Sequence, residues 1–366
     1  MFELVVTLCL AASPSGISSG PASTASPICR EVLIPGHETA ERETCEADLA
    51  RFQLPQGWPE GLAPESQDDL AGKLGCQHQG TALSVTEIAP GVFVHEGRIE
   101  EPGAENAGDV SNSGFIIGKT SVAVIDAGGS RLTGERLYRA LRHQTDLPVS
   151  HLILTHMHPD HVLGASVFRE AGASVVGHPA LARALEDRAG SYLASFGRLI
   201  GDPAFLGTRV ILPDNSAEEA KTVIDLGERR LQLRSWPLAH SPSDLTVLDE
   251  ATGTLFAGDL LFDRHAPALD GSLKGWQAAL EQLTELPVTQ LVPGHGGPVL
   301  ASPEGIEPLR HYLEVLARDT REAIARGEPL SRAASHIGEG EAANWALFGL
   351  YNPRNATAAY SELEWE

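Results

Sequence analysis

The stretch HLILTHMHPDH, His151 to His161, joins two textures that seldom adjoin. Its first part, His151 to Thr155, is apolar and reads as a buried strand. Its second part places four potential metal ligands, His156, His158, Asp160 and His161, within six residues. On the exit from a strand, residues two apart face the same side. His156 and His158 therefore converge on one ion, while Asp160 and His161, on the turn into the helix expected over His161 to Ala171, reach a second ion alongside. A dense polar run after a buried strand is costly unless its groups are paired, and metal coordination is the simplest pairing.

Upstream of this stretch the pattern is one of short hairpins. Val85 to His95 folds about Pro90-Gly91, and Ser113 to Gly118 pairs with Ser121 to Ile125. Val122 to Asp126 is a buried strand that ends in Asp126, followed by a helix over Thr133 to Gln144. Downstream, Ser174 to Gly177 is a strand and Pro179 to Asp187 a helix with proline at its start. Hairpins follow at Val223 to Leu233 and Leu245 to Ala257. A helix over Leu273 to Leu283, a short strand at Gln290 to Val292 and a long helix over Ile306 to Arg326 complete the set. Hairpins feeding strand–helix units, twice over, predict an α/β fold with two mixed sheets between helices.

Three later residues join the ligand set. His240 follows the apolar strand Leu231 to Leu238, Asp259 follows Leu255 to Gly258, and His295 stands in Pro-Gly-His-Gly. Each lies where a strand gives way to a turn, where sites collect in α/β folds. Alone, His240 reads as a core or loop histidine and Asp259 as a turn residue; beside the first motif they read as ligands. His178, ending the strand before its helix, and Tyr192 and His265, on loops expected to cover the substrate, are candidates for the substrate pocket. For each, ordinary packing or a surface position is the competing reading.

Thr155 to His161, with His240, Asp259 and His295 in that order, resembles the metallo-β-lactamase superfamily over about Thr81 to Tyr312. The resemblance implies an αββα sandwich of two mixed sheets. It implies that His156, His158 and His240 hold one metal ion, that Asp160, His161 and His295 hold a second, that Asp259 bridges them, and that Asp126 orients the site from behind. Asp109 to Gly118, Val122 to Ser130 and the closing Asn355 to Glu366 are similar to the exported quinoprotein relay system zinc metallohydrolases. That narrower resemblance implies a periplasmic setting with a link to a quinoprotein system.

Histidine and carboxylate ligands without a thiol suit two Zn²⁺ ions, with Fe or Mn also fitting. Two such ions lie about 3.5–4 Å apart and share a water whose pKa falls to about 7. The expected activity is a binuclear zinc-dependent hydrolase in which a metal-bound hydroxide attacks an ester, thioester, lactone or amide carbonyl, a β-lactam included. Asp160, His240 and Asp259 carry the chemistry, with Asp160 orienting the nucleophile and shuttling its proton. The competing readings are a mononuclear iron enzyme like the persulfide dioxygenases, which works with fewer ligands, and a non-catalytic periplasmic relay protein. A flavodiiron-type oxidoreductase has Glu where His158 stands, and no flavin module follows. A small-molecule substrate is expected.

Bulk properties narrow the partners. The 366 residues carry a formal charge of -22 with no basic stripe, which disfavours nucleic acid. No apolar run is long enough for a transmembrane segment. The chain divides into residues 1–25, an extension over 26–80 that contains cysteine, a catalytic domain over 81–312 and a helical tail over 313–366. Leu4 to Ala12 is apolar and Ser23-Thr24-Ala25 offers a cleavage site, so the first segment reads as a secretory signal peptide, although Glu3 stands where a basic residue is usual. On that reading Cys9 leaves with the leader, and Cys29, Cys45 and Cys76 form one disulfide with a thiol to spare. The protein is then periplasmic or secreted. Residues 26–80 read as mostly loop, with a short helix near Cys45 to Phe52.

Overall fold

The computed structural model describes residues 1–10, 28–54, 74–217 and 222–366. Two sheets face each other and helices cover their outer sides. The chain enters through β1 (Phe2–Leu10), β2 (Ile28–Thr39), α1 (Arg42–Leu49) and β3 (Leu74–His78). The first large sheet uses β4 (Thr86–Ala89), β5 (Val92–His95), β6 (Ser113–Ile117), β7 (Val122–Ile125), β8 (Val149–Ile153), β9 (Ser174–Gly177) and β10 (Asn215–Ser216), in the order 10-9-8-7-6-5-4. The hairpins give antiparallel pairs, and β7 through β10 run parallel. Its helices are α2 (Arg131–Arg142), α3 (Pro159–Val162), α4 (Ala165–Glu170) and α5 (Leu181–Ile200).

The second sheet runs β11 (Thr222–Asp225), β12 (Arg230–Ser235), β13 (Leu245–Asp249), β14 (Thr254–Phe262), β15 (Gln290–His295) and β16 (Leu300–Ala301) in sequence order. Its helices are α6 (Leu273–Thr284), α7 (Glu307–Ala325), α8 (Leu330–Ala333) and α9 (Phe348–Leu363). Alternation along the strands decides the layering. Val92, Val94, Ile116, Ile125 and Ile153 of the first sheet meet Leu231, Leu233, Val247, Phe256 and Val292 of the second in a core between the sheets. The opposite faces pack under helices, with Leu137, Leu141 and Phe168 on one side and Trp276, Leu280, Leu309 and Leu316 on the other. This is the expected αββα sandwich. The C-terminal helical region shares the second of these helix-covered cores, through Ala356, Ala359 and Leu363.

The N-terminal segment, expected as a leader, is a strand in this structure. β1 is the central strand of a three-stranded sheet ordered 2-1-3. Leu4, Val6 and Leu8 are buried with Val32 and Ile34, while Leu33, one residue out of phase, packs into the helix-covered core of the first large sheet. Glu3 is fully buried against Arg139 of α2. Cys9 pairs with Cys29 and Cys45 with Cys76, so no thiol is spare. The apolar run is a strand here because β2 and β3 pair with both of its edges. The expected cleavage site at Ser23-Thr24-Ala25 lies outside the described residues.

Several boundaries also move. The helix expected over His161 to Ala171 breaks between α3 and α4, where Gly164 approaches the Ala127 carbonyl so closely that a Cβ would lie 2.0 Å from that oxygen. α5 runs 20 residues to Ile200 because its apolar stripe, Leu181, Leu185, Phe196 and Ile200, continues past Gly190. A single glycine costs a helix only about 1 kcal/mol. β14 and β15 extend through Asp259 and His295 instead of stopping before them. No helix among the described residues is long and apolar enough to cross a membrane.

Candidate metal centre

The seven expected ligands meet at one end of the sandwich. They fall into two groups, His156, His158, His240 and Asp259, and Asp160, His161 and His295, each with ligand atoms within 4.8 Å of one another. Local folding explains the convergence. His156 and His158 leave β8 two residues apart, and Pro159 starts α3, which turns Asp160 and His161 inward. Asp259 sits where the β14–β15 pairing slips between Gly258 and Phe262, an irregularity that re-aims a side chain. Gly294 lets β15 come close: a Cβ there would lie 1.9 Å from Asp259 Oδ1.

Each histidine is held by one nitrogen and turned inward by the other. His156 Nδ1 lies 3.0 Å from Thr155 Oγ1. His158 Nε2 lies 3.2 Å from Asp270 Oδ2, and His240 Nδ1 lies 2.6 Å from the Ala268 carbonyl. In the second group, His161 Nδ1 is 2.8 Å from Asp126 Oδ2 and His295 Nδ1 is 2.9 Å from the Val110 carbonyl. Such outer partners fix the tautomer of a ligand ring. Asp126, at φ 56°, also accepts from the Thr155 amide and hydroxyl, each at 2.8 Å.

The inward atoms crowd. His158 Nδ1 is 3.1 Å from His156 Nε2 and 3.0 Å from His240 Nε2, close to the separation of about 3.3 Å set by tetrahedral nitrogen ligands on zinc. Asp259 lies between the groups, with Oδ2 3.5 Å from His156 Nε2, 3.4 Å from His240 Nε2 and 3.4 Å from His295 Nε2. Its Oδ1 is 3.1 Å from His161 Nε2 yet is buried without a hydrogen bond among the described residues. With the outward nitrogens donating, the inward ones present lone pairs to each other and to a carboxylate, an arrangement that calls for a cation. The residues present fit metal.

Electrostatics agree. Burial and neighbouring rings depress His156 well below the usual imidazole value, and burial takes His240 down to about 3. Burial opposes charge on His161 and His295 too, but Asp259 and Asp160 outweigh it, holding His161 well above its usual value and His295 at about 9. Burial would raise Asp259, yet His295, His161 and His156 hold it well below the carboxylate range. Without a metal ion, protons on two rings supply part of the positive charge.

A sequence model of the metallo-beta-lactamase superfamily matches residues 107–295, just over half of the chain. The chain belongs to the metallo-beta-lactamase superfamily. Members of this superfamily are mostly hydrolases that bind metal ions, typically zinc. Among solved structures, a metallo-beta-lactamase from Pontibacter korlensis is similar at 22% identity and TM-score 0.52, over 63% of this chain and 99% of that one. The metallo-beta-lactamase FIM-1 from Pseudomonas aeruginosa, in its mono-zinc form, is similar at 18% identity and TM-score 0.51, over 65% and 97%. TMB-1 is similar at 19% identity and TM-score 0.50, over 64% and 98%. At these identities the likeness is one of fold.

The three pocket candidates take different places. His178 caps the entry to α5: its Nδ1 accepts from the Ala180 amide and its Nε2 donates to the Trp236 carbonyl, which is the packing reading. His265 is buried beside His295, ring centroids 4.7 Å apart, and with Phe262 it clamps that ligand ring. Tyr192, half-buried on α5, is within electrostatic range of Asp270 and Asp160. Sequence reasoning missed Asp270 and the carbonyls of Ala268 and Val110. It also missed Tyr351 of α9, whose ring packs 5.0 Å from His265. The resemblance of Asp109 to Gly118 was the available signal for the Val110 loop. Asn112 in it donates to the Pro293 carbonyl and Ser111 to the Asp160 carbonyl, which pins the loops of two ligands.

Proposed function

We propose that the protein is a binuclear zinc-dependent hydrolase acting on the carbonyl of an ester, thioester, lactone or amide, β-lactams included. The observation that carries this reading is the ring arrangement: five histidines, each tied outward by one nitrogen, aim the other at a centre where Asp259 lies between the two groups. His156, His158 and His240 would hold one ion, and Asp160, His161 and His295 the other, with Asp259 between. Ions bound there supply a water acidified to about pKa 7 and polarisation of the substrate carbonyl.

The chain's own groups divide the remaining work. The site opens on the side of His158 and Asp160, whose side chains are 17% and 15% exposed against 0–7% for the other ligands. Substrate therefore approaches over those two residues. Burial would raise Asp160, but His161 and His295 outweigh it and keep the carboxylate ionised. It is placed to accept a proton from the attacking water and pass it to the leaving group. Tyr192 and Tyr351 stand on opposite helices as walls for the acyl part. Their phenols are raised above the usual value by burial, so they act as neutral hydrogen-bond donors.

Two disulfides support residence in an oxidising compartment. The resemblance of Asn355 to Glu366 and of the strand around Asp126 supports a quinoprotein-linked role. The activity is tested by hydrolysis of a p-nitrophenyl ester, a thioester, a γ-lactone and a chromogenic β-lactam by the zinc-loaded protein. At least one should turn over, and His240→Ala should abolish that turnover. Zinc-loaded protein inert toward every carbonyl class would overturn the proposal.

A further inference from the structure

The C-terminal helix is tied to the first group of ligands through one strap of chain, residues 263–272. Two rings of the three-histidine group depend on that strap: His240 Nδ1 on the Ala268 carbonyl at 2.6 Å, and His158 Nε2 on Asp270 Oδ2 at 3.2 Å. Neither partner lies in a helix or strand, so something else must fix them. Backbone bonds secure one side, from the Asp270 amide to the His240 carbonyl at 3.0 Å and from the Ser272 amide to the Ala239 carbonyl at 2.8 Å.

The other side is held by α9 and the turn before it. Ala346 accepts from the Ala266 amide and donates to the Arg264 carbonyl, at 2.9 and 2.7 Å. The buried Asn355 amide accepts from the Leu269 N–H at 2.9 Å and donates to the Pro267 carbonyl at 2.7 Å, bracketing Ala268. Asn355 is itself located by the Tyr312 hydroxyl at 2.8 Å, which donates to Asn352. Glu362, two turns on, accepts from Ser272 Oγ and the Leu273 amide at 2.7 and 2.6 Å, where the strap enters α6. Buried amide networks satisfied in this way specify one conformation.

We propose that the C-terminal helix is a working part of the first ion's subsite: Asn355 is a positioning residue that holds the strap whose Ala268 carbonyl and Asp270 carboxylate fix the His240 and His158 rings. This rests on the metal reading of the centre. Outer partners of metal-bound histidines are worth about 10–100-fold in metal affinity, and Asn355 acts one bond further out through a backbone carbonyl that has no side chain to mutate.

The test is stepwise zinc affinity by competition with a chromophoric chelator, on the full chain. The step belonging to the three-histidine group is the one that His240→Ala abolishes. Asp270→Ala should weaken that step about 10–100-fold, Asn355→Ala, one bond further out, by up to about 10-fold, and both should leave the other step unchanged. Leu316→Ala, which opens the same core from a residue outside the strap, controls for plain destabilisation and should leave both steps unchanged. Folded Asn355→Ala protein with both steps at wild-type affinity would overturn the proposal. So would an equal loss in Leu316→Ala at matched melting temperature. A wild-type chain that binds no zinc would overturn the metal reading beneath it.

Discussion

Truncating Glu3 should unfold a large share of the protein's stability margin. Its carboxylate is fully buried and accepts from four donors: Arg139 Nε at 2.9 Å, Arg139 Nη2 at 2.8 Å, Gln77 Nε2 at 3.1 Å and the Gly80 amide at 3.2 Å. The Arg139 side chain is 5% exposed. In Glu3→Ala the guanidinium stays buried without its counter-charge, and breaking a buried pair from one side costs about 3–5 kcal/mol. Removing both charges together costs far less, because the desolvation penalty of each ion is also relieved. Glu3→Leu/Arg139→Leu should therefore recover most of what Glu3→Ala loses. Urea unfolding followed by far-ultraviolet circular dichroism gives both values. A Glu3→Ala loss below about 0.5 kcal/mol, the size of an ordinary surface substitution, would refute the placement of residues 2–10 inside the fold.

Two further outcomes follow from the same geometry. Native protein purified oxidised should show no reactive thiol, and reduction in denaturant should release all four cysteines, Cys9 included; a mature chain that begins after residue 25 would break this expectation. His95 supplies a pH signature. Its Nε2 lies 2.6 Å from Asp109 Oδ1 and its Nδ1 2.8 Å from the Ser84 carbonyl. Burial opposes the charged ring, but Asp109 outweighs it and raises the folded value above 6.5. A group raised on folding stabilises fully below its unfolded value and loses that contribution as pH rises through its folded value. The stability difference between wild type and His95→Gln should therefore shrink as pH climbs above about 6.5. A difference that is flat or grows with pH would contradict it.

The candidate centre was legible because the side chains it gathers stand at strand ends. His156, His158, Asp160 and His161 lie within six residues, and Asp126, His240 and His295 each close an apolar run. Asp259 lies inside β14, at the irregular pairing with β15, and not after the strand as its sequence context suggests. The outer partners were harder. The carbonyls of Ala268 and Val110 act through the backbone, which carries no residue signature, and Asp270 on its strap has no periodic context. The pairing of the N-terminal run as a strand was not legible, because an apolar run reveals hydrophobicity without revealing what covers it. Its neighbour β3 pairs Phe2 with His78, across a separation that no local pattern reports. Glu3 was the one clue, since a carboxylate in such a run needs a buried cation.

We propose that His156, His158, Asp160, His161, His240, Asp259 and His295 form a two-metal centre. It is tested most directly by inductively coupled plasma mass spectrometry on the purified chain, beside an Asp259→Ala variant that removes the carboxylate shared by both groups. Close to two zinc ions per wild-type chain are expected, with a marked fall in the variant. A single iron would move the protein to the dioxygenase reading, and no bound metal under metal-replete conditions would rule out a metal centre here.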